Sequence, residues 1–117
     1  MNTAIESDTL KDIREWQERI DQLGTENNQM KDRLAKEILK EVSDSFLEGS
    51  EDFYQLLLDK DQSMGLLRHE IGGLLTLVSK TSALMQLHKY ATLRRDLVRF
   101  EKEFYTLKLS FLEHLMH

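Results

Sequence analysis

The helical architecture is decided by the stretch from residue 13 to residue 34, which reads IREWQERIDQLGTENNQMKDRL. Its core-type positions fall at alternating spacings of three and four residues: Ile13, Trp16, Ile20, Leu23, Asn27, Met30 and Leu34. A repeat of 3.5 residues keeps such side chains on one side of a helix and is typical of coiled coils. The stretch therefore predicts a long first helix with one continuous seam.

The polar member of this seam, Asn27, has two interpretations. A buried asparagine at a core position can fix the register and oligomeric state of a coiled coil at some cost in stability. Alternatively, Asn27 belongs to a locally frayed helix beside Gly24, because glycine weakens helix interiors. The seam keeps its phase across Gly24, which favours a continuous helix with room for a kink.

The end of the first helix is predicted from a glycine, beyond a change of spacing that we place inside the helix. After Leu34 the apolar residues follow at intervals of four: Ile38, Val42 and Phe46. We interpret this drift as a stutter within one helix of about residues 8–48, since stutters locally unwind a supercoil. Gly49 then favours a helix end and Ser50 offers an N-cap, so the second helix is expected from about residue 51.

Two further helices are predicted, over about residues 51–78 and 83–116, with a turn at Ser79–Ser82 between them. The apolar face of the second comprises Phe53, Leu57, Met64, Leu67, Ile71, Leu74 and Val78, and Leu56, Leu66 and Leu75 are expected to broaden it. The third carries an unbroken seam of Tyr90, Leu93, Leu97, Phe100, Phe104, Leu107 and Phe111, with His114 at the next place. No proline interrupts any of these segments.

These patterns predict an all-α fold in a single domain over residues 1–117: a long antiparallel helical hairpin or bundle with a coiled-coil N-terminal helix. Two helices cannot cover both of their apolar stripes, so additional partners are required. The first helix can supply part of the cover. We expect a second copy to supply the rest, since symmetric dimers are the commonest closed oligomers.

Composition excludes several classes of function. The 117 residues include 21 acidic and 16 basic side chains, for a net charge of -5, and no cysteine. Nucleic-acid binding needs a basic surface, and disulfide or thiolate chemistry needs cysteine. No apolar run is long enough to span a membrane, and the start of the sequence lacks the features of a signal peptide. We therefore expect a cytoplasmic protein without a nucleic-acid or membrane partner.

The most pointed candidate site surrounds His69 in the second helix. His69 lies about 200° around the helix from Leu67 and is expected to face away from the core. The positions one helical turn away are glycines: Gly65, Gly72 and Gly73. Three interpretations are open: close packing of another helix against the glycines, a helix end at Gly72–Gly73, or a functional His69 that another protein approaches closely.

This patch resembles the phosphoacceptor H-box of sensor histidine kinases. The matching residues are His69, Glu70, Ile71, Leu75 and Thr76, whereas Gly72, Gly73 and Leu74 replace the family's Arg, Asn/Thr and Pro. The resemblance implies that His69 accepts a phosphoryl group with Glu70 as the assisting base. Since the chain has no room for an ATP-binding domain, it implies a phosphotransfer module at most. The segment 53–71 also resembles small helical bacterial proteins of unknown function, which implies no activity.

Metal binding is the other chemistry that we considered. The possible ligands are His69, Glu70, His88, Glu113, His114 and His117. The Glu-x-x-His repeat of di-iron bundles fails because Met116 stands where its histidine belongs. Solvated histidines at a frayed C-terminus explain the pair 114 and 117 better than a metal site does, so we predict no metal and no cofactor. The prediction for function is a non-enzymatic, homodimeric interaction or scaffold module with an unidentified protein partner.

Overall fold

A computed structural model describes residues 3–40, 42–77 and 83–116, with side chains for 9–40, 42–77 and 86–116. Within these ranges the chain forms three helices and no strand: α1 (Thr3–Ile38), α2 (Asp44–Leu77) and α3 (Ala83–Leu115). The predicted all-α class is confirmed. The molecule measures 64 × 18 × 17 Å. Each helix has 33 to 36 residues and therefore spans roughly 50 Å, so three of them fit in this length only if they lie side by side.

The helices run up, down and up. Ion pairs and hydrogen bonds join them at successive levels: Asp21–Arg68 and Lys31–Asp61 between α1 and α2, Ser50–His114 and Lys60–Glu103 between α2 and α3, and Arg19–Glu101 and Glu26–Lys108 between α1 and α3. Residue numbers rise together in α1 and α3 and fall in α2. The predicted antiparallel pairing of the second and third helices is therefore confirmed, and α1 lies along both.

The core consists of the three predicted seams. All seven seam positions of α1 are buried, and the described members of the other two seams are buried or half-buried. Phe104 and Phe111 of α3, Leu57 and Ile71 of α2 and Ile13 of α1 are at most 1% exposed. One chain thus covers its own seams with its third helix. Dimerisation stays a prediction. However, a second copy is not needed to cover the seams, contrary to the expectation from the sequence.

The first helix ends ten residues earlier than expected, at Ile38 instead of about residue 48. The Ser43 hydroxyl accepts a hydrogen bond of 3.2 Å from the backbone N–H of Phe46 and so caps α2. The prediction of one helix over 8–48 with a stutter is therefore wrong: the change of spacing after Leu34 marks a helix end. The predicted break at Gly49–Ser50 is also wrong, because both residues lie inside α2.

Two smaller predictions have clear outcomes. Leu56, Leu66 and Leu75 are exposed, so they do not broaden the core face of α2. α1 is continuous through Gly24 and Asn27, so the frayed-helix interpretation of Asn27 is wrong. The turn predicted at Ser79–Ser82 lies outside the described residues, and α3 begins at Ala83 as expected.

Candidate functional site

His69 lies on the outer surface of α2, as its angular position predicts. Its side chain is exposed, whereas Ile71, two residues further on, is fully buried. Glu70 is exposed as well, but it lines a shallow groove between α2 and α3 together with His88. The two H-box residues thus point to different parts of the surface, since consecutive helical residues are about 100° apart.

The glycines around His69 leave an open strip along α2. A methyl group at Gly65, Gly72 or Gly73 would have no neighbouring atom within 4 Å beyond the local helix backbone. The helix continues through Gly72–Gly73 to Leu77, so the interpretation of a helix end is wrong. No described side chain of this chain packs against the glycines, so close packing here requires another molecule.

The C-terminal His114 is not a solvated histidine. Its Nε2 lies 2.9 Å from the hydroxyl of Ser50, which is only 3% exposed. The imidazole stacks on the Phe46 ring at a centroid distance of 4.5 Å and lies 4.9 Å from that of Phe53. A Cβ at Gly49 would stand 2.8 Å from His114 Cε1, so the absent side chain is what admits the ring. The interpretation of His114 as frayed and solvated is wrong.

The cradle that Phe46, Gly49, Ser50 and Phe53 form around the His114 ring explains the Gly49–Ser50 pair, which was predicted to be a break between helices. Phe46, Ser50 and Phe53 continue the three-four spacing of the α2 seam toward its N-terminus. That spacing is the signal by which the cradle could have been found. The contacts of His114 with this cradle hold α2 and α3 together at the C-terminal end of α3.

We expect Gly49→Ala to lower the free energy of unfolding by about 1–3 kcal/mol, because the new methyl group overpacks a ring already confined by two phenylalanines. Gly65→Ala is the matched control. Since Gly65 faces open space in the same helix, alanine there should raise stability by roughly 0.5–1 kcal/mol through its better helix propensity. Urea denaturation followed by circular dichroism measures both. If both substitutions changed the free energy of unfolding in the same direction, the close contact between Gly49 and His114 would be contradicted.

A buried polar contact fixes α1 against α2. Asn27 is fully buried, and its side-chain N–H group donates to the Leu57 carbonyl and to Asp61 Oδ1, each at 2.8 Å. Lys31 pairs with the other Asp61 oxygen. Burial acts to raise the pKa of Asp61, but the hydrogen bonds from Lys31 and Asn27 outweigh it and hold that pKa below its usual range. These contacts exist at one register of the two helices only.

The metal candidates do not assemble. Among the residues that the structure describes, no three histidine, aspartate, glutamate or cysteine side chains come together in a way that could hold a metal ion. His69 is on α2, His88 and His114 are on α3, and the His114 ring is enclosed by α2. His117 lies outside the described residues.

Comparison with known proteins does not assign the chain to a family. No known family matches the chain, and no curated protein or solved structure is similar to it. Over the described ranges, none of the helices combines the length and apolar character needed to cross a lipid bilayer.

Proposed function

We propose that this chain is a non-enzymatic interaction or scaffold module that works as a homo-oligomer in the cytoplasm and recruits a further protein. The observation that carries the proposal is an excess of apolar surface. The core is complete within one chain, yet large apolar side chains stand exposed outside it, among them Leu66 on α2 and Leu109 on α3 at 70% and 64% exposure. The exposed apolar residues of α3 recur along one side of that helix, and contiguous exposed apolar surface on a protein marks interaction sites.

The shape of the molecule supports a scaffold role. Three helices packed side by side form a rod 64 Å long, with ion pairs between each pair of helices. A stiff rod keeps partners bound near its two ends apart at a fixed distance. Its surface bears both signs of charge and a net charge of -5, which favours protein partners over nucleic acid.

Light scattering over a wide range of protein concentration tests the oligomeric part of this proposal. The chain has a mass of 13.8 kDa, and we expect the measured mass to reach a multiple of that value as concentration rises. A mass that stays at one chain throughout would contradict homo-oligomerisation.

Affinity capture with the intact bundle, compared with a Leu66→Ser and Leu109→Ser variant, tests recruitment of another protein by the exposed leucines.

A histidine phosphotransfer module is the second candidate, favoured by the open strip around His69. The ring is exposed, and the glycines one turn away leave space for close approach by a phosphorylated receiver domain. In this reaction a ring nitrogen of His69 attacks the phosphorus of the donor. The P–O bond to acetate or to the receiver carboxylate breaks as the N–P bond forms, and the ring releases its proton to solvent because Glu70 points to another part of the surface.

Labelling with acetyl phosphate distinguishes this candidate from the first. We expect the wild-type chain to acquire an acid-labile phosphoryl group and His69→Gln to lose it. His88→Gln is the matched control, because His88 is also exposed on a helix of the same bundle and should leave labelling unchanged. Labelling that survives His69→Gln, or that never appears, would remove the phosphotransfer candidate and leave the scaffold proposal intact.

A further inference from the structure

Helix α3 carries a second apolar face that nothing in the described chain covers. Its members are Leu87, Val98, Tyr105, Leu109, Leu112 and Met116, all between 45% and 83% exposed, and we call them the outer stripe. At 100° per residue they fall within an arc of about 60°, centred roughly 130° from the buried face of α3. The outer stripe runs along roughly 44 Å of helix, almost the full length of the rod.

The spacing of the outer stripe is symmetric about its centre once Ala91 and Arg94, which lie on the same side of α3, are included. A second α3 can be laid antiparallel to the first, with a two-fold axis between Glu101 and Lys102. Every member of the stripe then lies level with a residue on the same side of the second copy's α3. The pairs are Leu87 with Met116, Ala91 with Leu112, Arg94 with Leu109 and Val98 with Tyr105, in both directions. A two-fold interface requires a patch that is complementary to itself, and this pattern has that property.

We infer that the outer stripe of α3 is the homodimer interface and that its occupant is the same stripe of a second copy, running antiparallel. The inference rests on the proposed homo-oligomeric function and names the surface that performs it. Three of the four pairs are apolar on both sides. In the fourth, the stem of Arg94 can lie along Leu109 while its guanidinium reaches solvent.

The charges beside the stripe favour the antiparallel order. Arg94 and Arg95 have no acidic partner among the described side chains, and a parallel pair of α3 helices would set each against its own copy. In the antiparallel pair, Arg94 lies level with Leu109 of the second copy, so the two Arg94 residues are about 22 Å apart along the axis. That separation exceeds the screening length of about 8 Å at physiological salt. Glu101 and Lys102 lie on either side of the two-fold axis, so each is level with the other in the second copy and within about 1.5 Å of the level of its own copy.

Cysteine cross-linking tests the inference directly, because the chain has no cysteine of its own. We expect a mixture of Val98→Cys and Tyr105→Cys chains to form a disulfide-linked dimer under mild oxidation, whereas neither variant alone does so. A mixture of Val98→Cys and Leu112→Cys is the matched control and should stay unlinked, since these positions lie at different levels. Ala91→Cys with Leu112→Cys provides a second pair should the first weaken assembly.

The outcomes separate this inference from the proposed function. Cross-linking of the predicted mixtures alone supports both. A dimer by light scattering in which single variants link to themselves is a parallel dimer, and one in which no variant links uses another face. Either result overturns the inference and leaves the homo-oligomeric function standing. A chain that stays monomeric at every concentration overturns both and leaves the stripe to a different protein.

Discussion

Replacing Phe104 with alanine is expected to destabilise the bundle by about 3–5 kcal/mol, the usual cost of emptying a buried phenylalanine site. Phe104 is fully buried and belongs to the single core cluster to which all three helices contribute. The helices cannot collapse onto the cavity without disturbing the neighbouring seam positions. Because domains of this size have only about 5–15 kcal/mol of stability, the midpoint of urea denaturation should fall sharply.

The next residue in the chain provides the control. Tyr105 has a ring of similar size, yet it is 50% exposed because it lies about 100° further around α3, away from the buried face. At concentrations where the chain is monomeric, Tyr105→Ala should change the free energy of unfolding by roughly 0.5 kcal/mol or less. At high concentration it should weaken the proposed dimer. Similar losses for the two variants in the monomer would contradict this assignment of core and surface.

The core was predictable because periodicity carries the information. A residue such as Phe104 repeats at three-four spacing with Phe100 and Phe111, and a helix must bury one such stripe whatever its partner is. The identity of the partner is a different matter. Leu97 was predicted on a seam and is buried, whereas Leu66 was predicted to broaden the apolar face of α2 and is exposed, because the packing of the helices decides how wide a stripe is covered.

The break between α1 and α2 was not predicted because two signals competed. Gly49–Ser50 has the composition of a helix boundary, whereas the true boundary carries only a serine, Ser43, followed by Asp44. The glycine is needed for a distant reason, namely the His114 ring that arrives from α3. Local sequence cannot reveal such a contact, because it depends on the register between two helices. The outward direction of His69 was predictable, since it follows from helix geometry alone.

Replacing Asn27 with aspartate is expected to cost about 3 kcal/mol at neutral pH, although the two side chains have nearly the same shape. The amide now donates to the Leu57 carbonyl and to the Asp61 carboxylate. A carboxylate in its place cannot donate to either and would bring a second negative charge against Asp61 in a buried site. Leaving a buried charge uncompensated costs roughly 3–5 kcal/mol, and nearby Lys31 should keep the loss near the lower value.

Asn28→Asp is the control, because Asn28 is exposed and this substitution should shift stability by less than about 0.5 kcal/mol.

The loss of stability caused by Asn27→Asp should also depend on pH. Burial and the Asp61 carboxylate raise the pKa of the new carboxyl group in the folded state above its unfolded value of about 3.9. Its penalty is therefore full above the raised pKa and shrinks as the pH falls through it, because the protonated group can again donate to Asp61. Urea denaturation of the variant and the wild type at neutral pH and at about pH 5 should show the difference narrowing. A difference independent of pH would contradict the contact between Asn27 and Asp61.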